Sequence, residues 1–342
     1  MKKTVFVVAL IIFAATGLFR NTSALVQSPG PDASKQLAEA AELTNKVINL
    51  FSSSKFDEAL PIAKRALELR ERNLSPDDIL MAAALINLGE IYLATKKPSN
   101  AKPLFERAVR IYEKTYGSTD MKLANLLNRL GGVYFDLNDY KEAERALLRS
   151  LAIKEKVLGA ESDAVADSLD NLGQMYRFHG ESNKSEAVFD RALKIVRSRG
   201  EKNSAATERV LRHYRCLFYE TEQSSKLEGL RLKYMPDADN DASAAANKDS
   251  LRNGGVLNGK ALRLVQPGYP PEATQSGASG IVVVEITIDE TGKVTAAEDY
   301  CGGNRFLVKP SLEAAYASRF TPTLFLGQPV KVNGLIIYRF VR

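Results

Sequence analysis

Leu88-Gly89-x-x-Tyr92 returns as Leu130-Gly131-x-x-Tyr134 and as Leu172-Gly173-x-x-Tyr176, each time 42 residues further on. A fixed period of this length points to a stack of like units, each covering the apolar face of the next, rather than to one globular core. Other positions keep the same step: Ala59, Ala101, Ala143 and Ser185; Ala66, Ala108, Ser150 and Ala192; Leu69, Ile111, Ile153 and Ile195. Gly117 and Gly159 close two of the units. Within a unit the Leu, Gly and Tyr lie on one face of a first helix. Glycine costs about 1 kcal/mol in a helix, so a recurrent one needs a packing reason: a second helix approaches where the side chain is missing. The small residues at 101, 143, 108 and 150 serve that contact from the second helix. Asp139-Tyr-Lys-Glu142 reads as a cap with a returning Glu, opening such a second helix.

The pattern L-G-x-x-Y…A…F…A stands nearly whole at Leu88, Gly89, Tyr92, Ala101, Phe105 and Ala108. These residues resemble the tetratricopeptide repeat (TPR). The 42-residue period, with EKTYGSTD at 113–120 and EKVLGAESD at 155–163, resembles its kinesin-light-chain variety. The resemblance spans about residues 40–200, some four units, the first of which has Lys46-Val47 in place of Leu-Gly. A capping hairpin is expected at 203–233, where RVLRHYRCLFYE is apolar at helical spacing. The resemblance implies an all-α solenoid whose first helices line an inner wall that binds peptides or proteins. Asn128, Phe135, Asp170, Gln174 and Arg177, which fall off the packing faces of their helices, are the candidate wall residues.

The pattern changes after residue 234. Residues 235–258 are rich in small and polar residues and read as a flexible linker. From 259 a short helix starts at a Pro-Pro pair, and GIVVVEITIDETGKVTAAE (280–298) follows. Val282, Val284, Ile286 and Ile288 fall on one strand face, with Val283, Glu285 and Thr287 on the other, and Gly292 closes a turn. A lone hairpin is marginal in water. Cover comes from an amphipathic helix expected over Pro310–Arg319, with Leu312, Ala315 and Tyr316 on one side, and from a third strand, VKVNGLIIYRFV (330–341). The expected fold is thus multidomain: the helical array over 38–234, then a small α+β domain over 259–342 with a three-stranded antiparallel sheet.

YPPEA (269–273), GIVVVEITIDETGKV (280–294), Arg319-Phe320-Thr-Pro322 and GQPVKVNGLIIYRFV (327–341) resemble the C-terminal domain of the TonB family of energy transducers. Where that family commonly has a Trp before the Arg-Phe, this chain has Ser318. The resemblance implies that an extended segment, such as part of an outer-membrane receptor, is added as a strand to the sheet edge. The candidate edge is Val332, Asn333, Gly334, Leu335, Ile336, Ile337 and Tyr338.

Met1-Lys2-Lys3, an uncharged run from Thr4 to Phe19 and the small residues Thr22-Ser23-Ala24 read as a signal peptide cleaved after Ala24. Residues 25–37 then form a linker. Retained, residues 1–24 would be an inner-membrane anchor. That segment carries three of the six net positive charges and no acid, so the body is near balance and shows no nucleic-acid footprint. Cys216 and Cys301, the only cysteines, fall in separate domains and are expected as buried or free thiols rather than a bridge. His179 and His213 lack the neighbours of a catalytic or metal motif. No enzyme, cofactor or metal is expected. The leading reading is a periplasmic adaptor. The alternatives are an anchored TonB-type transducer and a scaffold that dimerises through its sheet.

Overall fold

The computed structural model describes residues 30–198, 205–234, 252–253, 260–276 and 278–341. The expected signal segment with Ala24, and the tether 235–258 apart from 252–253, lie outside the described residues. The array comprises α1 (Pro31–Ser52), α2 (Phe56–Asn73), α3 (Ile79–Ala94), α4 (Pro98–Tyr116), α5 (Met121–Asp136), α6 (Tyr140–Leu158), α7 (Asp163–Phe178), α8 (Ser182–Ser198), α9 (Ala205–Glu220) and α10 (Ser224–Tyr234). Helix α1 begins at Pro31, with proline in the first turn where its missing N–H costs nothing. Residues 31–37, expected as linker, are therefore helical.

The period persists past the repeats that the motif marks. Helices α3, α5, α7 and α9 are each 16 residues long and begin 42 residues apart. Helices α9 and α10 are thus a fifth unit in register, with Tyr214, Arg215 and Phe218 standing where earlier units have Leu, Gly and Tyr. The turn between the two helices of every unit carries one left-handed residue at the same place: Ser54, Lys96, Asn138, Gly180 and Glu222, with φ of 58°, 61°, 59°, 82° and 57°. Only one is glycine, so this shared backbone feature leaves little trace in residue type.

The recurrent glycines have the packing role expected of them. A Cβ on Gly89, Gly131 or Gly173 would stand 2.7, 2.7 or 2.4 Å from the side chain of Phe105, Leu147 or Phe189. Those three are again 42 residues apart. In the first unit the bulk is on the opposite side: Val47 takes the glycine place and Ala63 the phenylalanine place, and both are buried. Where serine replaces alanine inside the stack, its hydroxyl is satisfied by backbone. Ser150 donates to the Ala124 carbonyl (2.7 Å) and Ser185 to that of Gly173 (2.8 Å). Asp78 and Asp120 cap α3 and α5 by accepting from the amides of Leu80 and Lys122.

The second domain contains β2 (Ala261–Arg263), α11 (Pro271–Ser276), β3 (Gly280–Ile288), β4 (Val294–Asp299), α12 (Arg305–Ala317), β5 (Arg319–Phe320), β6 (Thr323–Phe325), β7 (Gln328–Val330) and β8 (Val332–Phe340). A two-residue strand from the tether region, β1 (Arg252–Asn253), joins it. The main sheet has the order β1-β8-β3-β4, the last three antiparallel as expected, with β1 added in parallel against Val332 and Asn333. Val282, Val284, Ile286 and Ile288, at most 1% exposed, pack with Leu307, Ala314 and Ala315 of α12.

Helix α12 begins earlier than expected, because Asn304 caps it by accepting from the Phe306 amide (3.0 Å). Of the three residues expected on one side, Ala315 is buried but Tyr316 is 47% exposed. At the family's tryptophan place Ser318 is fully buried. Its hydroxyl donates to the Ala314 carbonyl (2.8 Å) and accepts from the Val265 amide (3.1 Å).

Candidate functional site

Successive first helices present matching columns of residues 42 apart. One runs Ile86, Asn128, Asp170, Arg212; another Glu90, Gly132, Gln174, Cys216; a third Leu93, Phe135, Arg177, Tyr219. All five predicted wall residues belong to these columns, but their surroundings diverge. Asn128 is half-buried and accepts from the amide side chain of Asn171 on the next first helix (3.1 Å). Phe135 is half-buried in an aromatic group with Phe178 (centroids 5.4 Å apart) and Tyr140 (6.1 Å). Gln174 is half-buried.

Asp170 and Arg177 are not open wall. Asp170 is 2% exposed and its carboxylate faces His213 Nδ1 (2.8 Å) and Arg209 Nε (3.2 Å) on α9. It fastens the fifth unit to the fourth. The Arg177 side chain is 1% exposed, pairs with Glu220 through Nη1, and donates from Nη2 to the Cys301 carbonyl (2.8 Å). Burial lowers the Arg177 pKa, against the pull of Glu220, and burial raises that of Glu220, against the pull of Arg177. The pair is held by geometry rather than by water, so losing either member strands the other.

Cys216 and Cys301 form a disulfide, with Cα atoms 5.5 Å apart across 85 residues of chain. This corrects the expectation of separate thiols. The bond joins α9 to the turn after β4, and a third apolar cluster surrounds it: Cys216, Val283 and Cys301, with Tyr219, Ile281, Tyr300 and Leu335 packed around them. Val283, on the sheet face opposite α12, is 0% exposed because α9 covers that face. The guanidinium carbons of Arg212 and Arg215 lie 5.5 and 5.9 Å from the Tyr300 ring centroid. Arg339 at the end of β8 pairs with Glu222 (3.2 Å) in the α9–α10 turn. Sequence reasoning missed this junction, although one signal was available: Cys216 falls in the wall column after Gln174, where no packing role needs a cysteine.

The predicted edge, Val332 to Tyr338, lies in β8. One side of β8 pairs with β3 along its whole length, from Ile288↔Val332 to Gly280↔Phe340. On the other side, among the described residues, the only paired positions are Val332 and Asn333, opposite Arg252 and Asn253. Asn333 is tied inward by Thr287, whose hydroxyl donates to its Oδ1 (2.9 Å). Leu335 is part of the junction with α9, Ile336 and Tyr338 are buried on the α12 side, and Ile337 is 43% exposed.

Residues 35–114 and 122–198 match the tetratricopeptide repeat model, and residues 265–341 match the model of the Gram-negative bacterial TonB protein C-terminal domain. The chain thus matches two families, one in each region. The TPR array is similar to two crystal structures of a Podosopora anserina protein described as a putative kinesin light chain with nearly identical TPR-like repeats. The identity is 15%, covering 60% of this chain; one structure, of a point variant, is covered over 97% of its chain at a TM-score of 0.53, and the other over 99% at 0.52. BtubC (BKLC) from P. vanneervenii is 18% identical, over 67% of this chain and 98% of that one, with a TM-score of 0.48. No curated protein matches. Both matched regions are of kinds that bind proteins, and no enzyme family is indicated. Among the described residues, no cluster of three or more His, Cys, Asp or Glu could hold a metal, and no helix is long and apolar enough to cross a membrane.

Proposed function

We propose that the protein is an exported adaptor of the Gram-negative cell envelope. Its TPR array docks one protein partner, and its TonB-like domain takes an extended segment as an added strand along the outer edge of β8. The observation that carries this reading is the edge itself: from Gly334 to Phe340 no described strand pairs with it. Such an edge is a template for an incoming strand, with backbone bonds supplying affinity and alternate side chains selectivity. Half-exposed Ile337 is the side chain such a segment meets first. Secretion after cleavage at Ala24 agrees with the disulfide, since such bonds persist in oxidising compartments. A segment of an outer-membrane receptor is the proposed occupant, as the TonB match implies.

A photo-crosslinking residue at position 337 of the full chain, in cells, tests this. The expected product joins residue 337 to an extended segment of an outer-membrane receptor, mapped by mass spectrometry. The same probe at exposed Tyr316, on α12, should give no such product. Adducts at 337 only to a second copy of the chain would replace the adaptor with a dimerising scaffold.

A further inference from the structure

Three wall positions of the fifth unit, Arg212, Cys216 and Tyr219, are all occupied by the chain's own sheet domain. Arg212 lies over the Tyr300 ring, Cys216 is bonded to Cys301, and Tyr219 packs in the cluster with Ile281 and Leu335. The fourth unit contributes as well. Arg177 donates to the Cys301 carbonyl, and the Phe178 ring lies 3.7 Å from where a Cβ on Gly302 would stand. Gly302 has φ of 73°, a left-handed conformation that folds the turn onto that ring. Arginine on an aromatic face, a buried guanidinium on a backbone carbonyl and an apolar seat together make a recognition site for one short turn.

We propose that the Tyr300–Gly302 turn is an internal ligand of the array's wall at units four and five, and that Cys216–Cys301 is the latch that keeps it there. This goes beyond the adaptor reading and does not rest on it. While the latch is closed, the wall left to an outside partner is that of the earlier units, with the half-buried Glu90, Leu93, Asn128 and Phe135 among its positions. A dithiol reductant opens it. One thiolate of the reductant attacks a cystine sulfur to give a mixed disulfide, and its second thiol then displaces the protein sulfur. Two electrons and two protons pass to Cys216 and Cys301, and the reductant leaves as a disulfide. Cys216 is 0% and Cys301 6% exposed, so attack waits on local opening of the junction and the latch resists brief reduction.

The test uses the full chain with a protease site placed in the tether between residues 240 and 248. After cleavage the oxidised fragments should remain linked on a denaturing gel and co-elute on gel filtration. After dithiothreitol treatment, with both thiols alkylated, they should separate at micromolar concentration. Fragments that separate before reduction, or that still co-elute with both thiols alkylated, overturn the latch. Tyr300→Ala in the oxidised, uncut protein keeps the bond but removes the ring beneath the arginines. Amide exchange across α9 should then quicken about tenfold. Unchanged exchange in that variant overturns the claim that the turn is recognised.

Discussion

The array and the sheet domain close their cores by different routes. In the array each helix packs on near neighbours in sequence, and one contact recurs: Gly89 under Phe105, Gly131 under Leu147, Gly173 under Phe189. In the sheet domain the central strand β3 pairs with β8 at the far end of the domain, and its second face is covered by a helix of the array. The array is therefore modular, whereas the sheet face that carries Val283 is closed only by α9. A repeat fold here supplies a wall of its neighbour's core as well as its own.

Separating the two regions should give the largest effect. The sheet domain alone (259–342) loses its disulfide and uncovers Ile281, Val283, Tyr300 and Leu335. It should be less stable than in the whole chain by about 5 kcal/mol, mostly from the lost cross-link. Denaturant titration of both, followed at the sheet tyrosines, checks this; equal midpoints would make the domain self-sufficient. Next is Gly292→Ala in the β3–β4 turn. Gly292 has φ of 84°, and a Cβ there would stand 2.0 Å from the Phe320 carbonyl oxygen. The expected loss is about 3 kcal/mol, combining a left-handed alanine with a clash against backbone.

Within the array two adjacent glycines make a paired test. Gly131→Ala meets Leu147 at 2.7 Å, while nothing lies within 4 Å of a Cβ on Gly132. Gly131→Ala should destabilise by about 2 kcal/mol, and Gly132→Ala should stabilise by about 0.5–1 kcal/mol. Thermal or urea unfolding of the two variants reads opposite signs; equal signs would remove close approach as the reason for the motif. The smallest effect belongs to the inter-helix turns. Lys96 and Glu222 hold left-handed backbone that the fourth unit gives to Gly180. Lys96→Gly should stabilise by up to about 1 kcal/mol in the same unfolding assay.

The repeat was legible because the same contact is written into the chain several times, and the glycines announced it by their cost in a helix. Helix α12 was legible in part: its apolar spacing was plain, but its first turns, capped by Asn304, lie before the expected start at Pro310. The fifth unit was half-legible, since α9 keeps the helical period while Arg215 replaces the marker glycine. The 42-residue columns of the first helices were legible, but not which of their side chains are buried. Asp170 and Arg177 look like solvent-facing charges until Arg209, His213 and Glu220 close over them. The junction was the least legible part. Val283 on a supposed polar face and a cysteine in a wall column were both visible, but pairing them required the contact between domains.

Array and sheet are one covalently joined body. The direct measurement is a peptide map of the full chain, purified from the cell envelope with free thiols blocked and digested without reductant. One cross-linked pair is expected, a peptide containing Cys216 bonded to one containing Cys301, and no blocked cysteine. Two blocked thiols, or either cysteine bonded to another molecule, would contradict it.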